Sequence, residues 1–119
     1  MDTGSLPVYN AARRLLDQFE LSTKKCPINI KRGSVAKVEE WLIEILDGIM
    51  MANETVESPT EKVRFINEAI EKLRNVMIRV RTLQSIHVIH KKGFGAIVRE
   101  EANVARQLKG WARKTMNDA

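Results

Sequence analysis

Apolar residues recur every three or four positions along four separate stretches of this 119-residue chain. This spacing collects them on one side of an α-helix, in which successive residues lie about 100° apart. No stretch shows the strict alternation of apolar and polar residues that is typical of a strand. Four amphipathic helices joined by short connections favour an up-down antiparallel arrangement. The sequence therefore predicts an all-α, up-down antiparallel four-helix bundle in a single domain, residues 1–119.

Capping residues set the predicted helix boundaries. Pro7 suits an early position in the first helix, and Ser34 is a good N-cap for the second. Ser58, Pro59 and Glu61 form a capping box with proline at the first helical position, so they begin the third helix. The four predicted helices span about residues 7–24, 34–53, 59–87 and 92–115.

One apolar face on each helix should form the core. Glu101 interrupts this pattern, since it projects onto the apolar side of the fourth helix, where an unpaired charge would be costly. Gln84, on the apolar face of the third helix, is its expected partner. The residues predicted to face the core are Val8, Ala12, Leu15, Phe19, Val35, Val38, Leu42, Ile45, Ile49, Val63, Ile66, Ile70, Leu73, Met77, Val80, Ile97, Val104, Leu108 and Trp111.

Two helices carry more apolar residues than one core face requires. Phe65, Val76 and Leu83 form a second stripe on the third helix, about 100° from the main one. Ile43 and Met50 lie outside the main face of the second helix. Surplus hydrophobic residues on a small protein are one explanation. We favour the other, a subunit interface.

Positive charge is concentrated in the second half of the chain. The formal net charge is +5, but residues 1–60 hold seven Lys and Arg against nine Asp and Glu, whereas residues 61–119 hold thirteen against six. Residues 72–114 alone contain eleven basic side chains and two acidic ones, Glu100 and Glu101. A field of this sign attracts polyanions.

The fourth helix orders part of this charge into a stripe. Lys92, Arg99, Arg106 and Arg113 recur at intervals of seven, so they stack along one side, pointing away from the apolar face. A solvated face with scattered charges is the usual alternative, but glutamates normally interleave on such a face. We predict that the following residues bind nucleic acid or a partner: Lys72, Arg74, Arg79, Arg81, Lys91, Lys92, Arg99, Arg106, Lys109, Arg113 and Lys114.

Aromatic residues for stacking bases are few, because the chain has one Tyr and two Trp, and both Trp fall on apolar faces. RNA or DNA should therefore be bound mainly through phosphates, with weak sequence preference.

Gly110, in "RQLKGWARK", falls beside the basic stripe. A missing side chain there would let a phosphate chain or an adjacent subunit come close, so we predict a close-approach position.

Motifs of catalysis are not evident in the sequence. There is no Ser, His and Asp set, no HExxH, no phosphate-binding loop after a strand and no Cys and His cluster at metal spacing. His87 and His90 are three residues apart without a third ligand, so a turn pair is favoured over a metal site. We assign no chemical role to Cys26, the one cysteine of the sequence. We expect no enzymatic activity, no metal and no cofactor.

Long apolar segments are also missing from the sequence. No run approaches the roughly 20 residues that span a bilayer, and no signal-peptide pattern is present. We therefore expect a cytoplasmic protein that does not bind membranes.

Three segments together resemble a known family. "LPVYNAARRLLDQF", "VAKVEEWLIEILDGIMMANE" and "ARQLKGWARK", with a long helix before the last, resemble the accessory variability determinant (Avd) proteins of diversity-generating retroelements. The resemblance covers residues 6 to about 114, and its most specific parts are the opening Leu-Pro-x-Tyr and the closing Leu-x-Gly-Trp. The sequence departs from the family pattern around "SIHVIHKKGFG". Related bundle proteins are encoded in ribosomal RNA intervening sequences, but their usual opening motif is not found here.

The resemblance implies a homopentameric barrel of bundles with a positive surface. It also implies binding to the retroelement's reverse transcriptase and to RNA or DNA, in support of mutagenic reverse transcription and retrohoming. The alternative is a structural or protein-interaction bundle of the intervening-sequence type with no retroelement role, whose basic face binds an acidic protein or ribosomal RNA. An enzyme of unrecognised type is a third option.

Overall fold

The computed structural model describes residues 6–119, and all regular structure within this range is helical. The first long helix is α1 (Pro7–Ser22). A short helix α2 (Ile28–Ile30) continues through a π-helical segment (Lys31–Val35) into α3 (Ala36–Glu54). Two longer helices follow, α4 (Pro59–Ser85) and α5 (Lys91–Asn117).

The four long helices close a ring around one core. α3 packs against α4, α4 against α5, α5 against α1, and α1 against α3. The connections at 55–58 and 86–90 are too short to return along the bundle, so the helices that they join in contact run antiparallel. The molecule measures 47 × 23 × 23 Å. The predicted all-helical bundle is confirmed.

Most of the predicted core positions are also confirmed. Every one of them is buried except Val63, Ile70 and Trp111, which are half-buried. The largest enclosed side chains include Phe19 and Leu15. Burial of an apolar side chain of this size stabilises the fold by about 1.5–3 kcal/mol, so the amphipathic pattern of the sequence accounts for the bundle.

The second helix begins earlier than predicted. Ser34 is not its N-cap, because helical backbone already starts at Ile28 and passes through the π-helical segment. Pro27 precedes that start with an extended backbone, and its carbonyl accepts a hydrogen bond from the Lys31 amide at 2.9 Å. The Ser34 hydroxyl instead accepts from Arg79 on α4 at 3.4 Å.

The second apolar stripe of α4 serves the chain's own core, contrary to the predicted subunit interface. Val76 and Leu83 are each 1% exposed, and Phe65 is half-buried against the core. The reason is that α4 packs against two neighbours, α3 and α5, and so needs a wide apolar arc. Ile43 on α3 does remain half exposed, whereas Met50 is half-buried.

Both ends of α4 are defined by specific contacts. At its start, Ser58 accepts a hydrogen bond from the Glu61 amide at 3.2 Å, as the capping box predicts. At its end, His87 adopts a left-handed backbone with φ of 66°. The amides of His87 and Val88 then donate to the carbonyls of Gln84 and Leu83, which is the pattern of a Schellman motif. α4 therefore ends two residues before its predicted limit.

Candidate nucleic-acid interface

The basic stripe predicted for the last helix is exposed along the outer side of α5. Lys92, Arg99, Arg106 and Arg113 are all exposed, and we call these four residues the α5 row. The row is held outward because the opposite side of α5 is buried in the core at Ile97, Val104 and Leu108. At 1.5 Å per residue the row is about 31 Å long. Lys91, Lys109 and Lys114 add exposed charge next to it.

The charge of the α5 row is not neutralised within the described part of the chain. None of its four residues lies within 4.0 Å of a carboxylate there. Arg106 donates to the neutral amide oxygen of Asn103 at 2.6 Å. Such a row offers guanidinium and ammonium groups to an external anion, and arginine suits phosphate oxygens through its planar fork of donors.

Both glutamates of α5 lie on other sides of the helix. Glu100 forms an ion pair with Arg14 of α1 at 3.3 Å. Glu101 does not pair with Gln84 as expected, since no hydrogen bond joins them in residues 6–119. It lines a shallow depression of about 320 Å³ with Arg74 and Arg81 of α4. The physical reason is that Glu101 lies beside the arginines Arg74 and Arg81 in the second half of α4, rather than beside the amide of Gln84.

The predicted binding residues on α4 are arranged differently from the α5 row. Arg74 donates to Glu71 at 2.8 Å. The Arg79 guanidinium lies 5.8 Å from the centre of the Trp41 ring, which the Lys37 ammonium also approaches at 5.3 Å. Such cation–π contacts hold a cation by the negative face of the ring.

The other two predicted residues on α4 also differ from each other. Lys72 is half-buried, and Arg81 is exposed. The structure therefore brings the α5 residues together as one surface but engages much of the charge on α4 within the chain.

Ion pairs dominate the first half of α4. Arg64 forms ion pairs with both Glu61 and Glu68. The hydrogen bond between Arg64 and Glu61 holds the pKa of Glu61 below its usual value and raises the pKa of Arg64. Two carboxyl groups meet between α1 and α3, where burial and then the Glu20 carboxyl raise the pKa of Glu39. None of these four carboxylates forms an ion pair with the α5 row.

The described residues give no steric reason for Gly110, because a Cβ at this exposed position would meet none of their atoms within 4 Å. Close approach of an external group to Gly110 stays a prediction. Gly93 is different, because a Cβ there would lie 2.7 Å from the Ser22 hydroxyl. Glycine at 93 lets α5 cross close to α1. Sequence reasoning missed this contact, since one helix gives no sign of what faces it.

The start of the α5 row borders a depression of about 910 Å³ at one end of the bundle. Lys92 and Arg99 line it, together with Lys24 and Lys25 from the connection after α1. His87 and His90 line it as well, from the connection between α4 and α5 rather than from one helical face. We call this depression the end groove. The sequence could not reveal it, because its walls come from segments distant in the chain.

Within 6–119, no three His, Cys, Asp or Glu side chains are grouped so that they could hold a metal ion. Among the same residues, no helix has the length and apolarity needed to cross a membrane. No family model and no curated protein matches this chain.

Proposed function

We propose that this chain is a non-enzymatic accessory protein of a diversity-generating retroelement, which binds a reverse transcriptase and nucleic acid during mutagenic reverse transcription. The observation that supports nucleic-acid binding is the α5 row, about 31 Å of exposed positive charge without an internal counterion in the described residues. The retroelement role is supported by the resemblance of the opening and closing motifs to the Avd family.

The proposed mechanism is scaffolding by charge. Phosphates lie along the α5 row, with Lys91, Lys109 and Lys114 beside it, and Lys72, Arg74, Arg79 and Arg81 contribute from α4. Binding of this kind positions a strand without reading its sequence. The polymerase would then copy an RNA held on a neighbouring protein surface in the cytoplasm.

A homopentamer is part of the proposal. Apolar side chains that remain outside the core support self-association, since Ile43 is 50% exposed and Ile78 is 61% exposed. Light scattering at micromolar concentration should show an oligomer of five chains. A monomer would remove this part of the proposal and leave nucleic-acid binding to be judged by itself.

The first test is the salt dependence of binding to labelled RNA and single-stranded DNA. If four phosphates are neutralised, the affinity should fall by about 10³-fold between roughly 50 and 500 mM salt. Binding that is unchanged over this range would overturn the phosphate-contact mechanism.

The second test concerns the polymerase. We expect the chain to co-purify with a reverse transcriptase encoded beside it, next to a pair of template and variable repeats. A neighbourhood without such genes, together with binding to ribosomal RNA, would support the intervening-sequence type of bundle instead.

A further inference from the structure

The end groove is built from three parts of the chain that only the fold brings together. They are the last turn of α1 with the connection after it, the connection between α4 and α5, and the first turns of α5. Its volume of about 910 Å³ lies within the range of pockets that hold ligands, about 300–1,000 Å³. It therefore has room for several side chains of a partner.

Aliphatic residues line both sides of the end groove. Leu21 on the α1 side is 67% exposed, and Ile86 on the opposite side is 51% exposed. Val88, Ala96 and Pro27 extend this surface. Exposed apolar residues grouped in a concave site mark a place where another molecule is bound.

The charge of the end groove has one sign. Lys24, Lys25, Lys92 and Arg99 line it, and no Asp or Glu does so among the described residues. α5 also begins here, with no acidic residue in its first turn, so the positive end of the helix dipole adds to the field. This charge favours an anionic occupant.

The apolar lining distinguishes between two kinds of anion. The only aromatic side chains that line the end groove in the described part of the chain are the small imidazoles of His87 and His90, whereas unpaired bases are usually held by stacking on large aromatic rings. Leu21 and Ile86 suit the aliphatic side chains of a peptide instead. We propose that the end groove docks an acidic, aliphatic-rich peptide segment of a protein partner. Its carboxylates meet the lysines and Arg99, and its aliphatic side chains lie between Leu21 and Ile86.

Three labelled probes of equal charge test this assignment by fluorescence anisotropy. The first is a short amphipathic peptide of Glu and Leu, the second replaces each Leu by Ser, and the third is a single-stranded oligonucleotide. The Glu-Leu peptide should bind at least about tenfold more tightly than the Glu-Ser peptide, a difference of roughly 1.4 kcal/mol. Equal binding of the two peptides would overturn the proposal.

Variants of the apolar lining locate the binding. The double variant Leu21→Ser, Ile86→Ser should weaken binding of the Glu-Leu peptide at least about tenfold, or 1.4 kcal/mol. Binding of the oligonucleotide should not change. Both side chains are more than half exposed, so the fold should persist. The matched control is Val56→Ser with Met116→Ser, at two positions outside the groove that are 78% and 52% exposed. A loss of oligonucleotide binding with the groove pair, or equal losses with the control, would refute peptide docking.

Charge variants separate the end groove from the rest of the α5 row. Lys25→Glu should abolish binding of the Glu-Leu peptide, and Arg13→Glu, an exposed control on α1, should not. Arg106 and Arg113 lie outside the groove, so the double variant Arg106→Glu, Arg113→Glu should weaken only the binding of the oligonucleotide. Peptide docking does not depend on the proposed nucleic-acid role, so each of the two can fail without the other. Loss of peptide binding in the Arg106 and Arg113 variant would contradict the assignment to the groove.

Discussion

The two helices that carry most of the positive charge, α4 and α5, hold it in different ways. On α4, Arg74 is paired with Glu71, and Arg79 lies against Trp41. On α5, the row from Lys92 to Arg113 has no carboxylate partner among the described residues. The number of basic residues in a segment therefore does not measure the charge that it offers to a ligand.

The neighbours of each helix explain the difference. α3 places an aromatic ring and a hydroxyl, Trp41 and Ser34, within reach of Arg79. The helix α5 packs against α1 as well as α4. Arg14 of α1 forms an ion pair with Glu100 of α5. The α5 row is left without an ion pair to any carboxylate of residues 6–119.

Charge reversal on the two helices should have the largest effect. Changing Arg99, Arg106 and Arg113 to Glu removes three phosphate contacts, so affinity for an oligonucleotide should fall by about 10²- to 10³-fold at 0.1 M salt. The equivalent triple change on α4, at Arg74, Arg79 and Arg81, should cost less than about tenfold. Anisotropy measures both, and thermal unfolding verifies the fold. Equal losses would remove the distinction between the helices.

Gly110→Leu tests whether the α5 row needs close approach. Leucine favours the helix over glycine by up to about 1 kcal/mol, and the site is open, so urea unfolding should show higher stability. Binding to the oligonucleotide should weaken, because the new side chain stands between Arg106 and Arg113. Ala102→Leu, at another exposed site on α5, is the control. Unchanged binding and assembly would make Gly110 a tolerated defect.

Arg79→Ala should affect stability more than binding. It removes a cation–π contact and the hydrogen bond to Ser34, at a cost of about 0.5–1 kcal/mol. Arg106→Ala should leave stability nearly unchanged and weaken binding. Urea unfolding and anisotropy on both variants give the comparison. A larger binding loss for Arg79→Ala would show that α4 is the principal contact.

The carboxyl pair between α1 and α3 gives the smallest effect. The pKa of Glu39 is raised above 4.5 by burial and by Glu20, so between the two pKa values the folded state binds more protons than the unfolded state. Stability from this group therefore falls as pH rises through that window. Glu39→Gln should raise the Tm slightly at neutral pH, where thermal unfolding measures it. A similar gain at a pH below 4.5 would contradict this account.

Local patterns predicted most of the fold. Spacing of apolar residues identified the buried faces, and Ser58 with Pro59 marked the start of α4. The early start of the second helix was missed, because Ser34 resembles an N-cap and a π-helical segment has no clear sequence signal. Val76 and Leu83 were assigned to a subunit interface although they are buried in the chain's own core, since one sequence does not show how many neighbours a helix has.

The candidate site was predictable only in part. The interval of seven placed the α5 row correctly on an exposed side. The partner of Arg79 and the surroundings of Glu101 depend on which helices are adjacent, which the sequence does not state. The end groove depends on three distant segments meeting, so no local pattern could indicate it.

The connection between α4 and α5 has a consequence for hydrogen exchange. The Leu83 carbonyl accepts from the amides of both Val88 and Ile89, at 2.9 and 3.1 Å, and the Ile89 side chain is 1% exposed. These two amides should exchange with solvent as slowly as those of the bundle core, although they lie outside any helix. One wall of the end groove would then open only when the whole bundle unfolds.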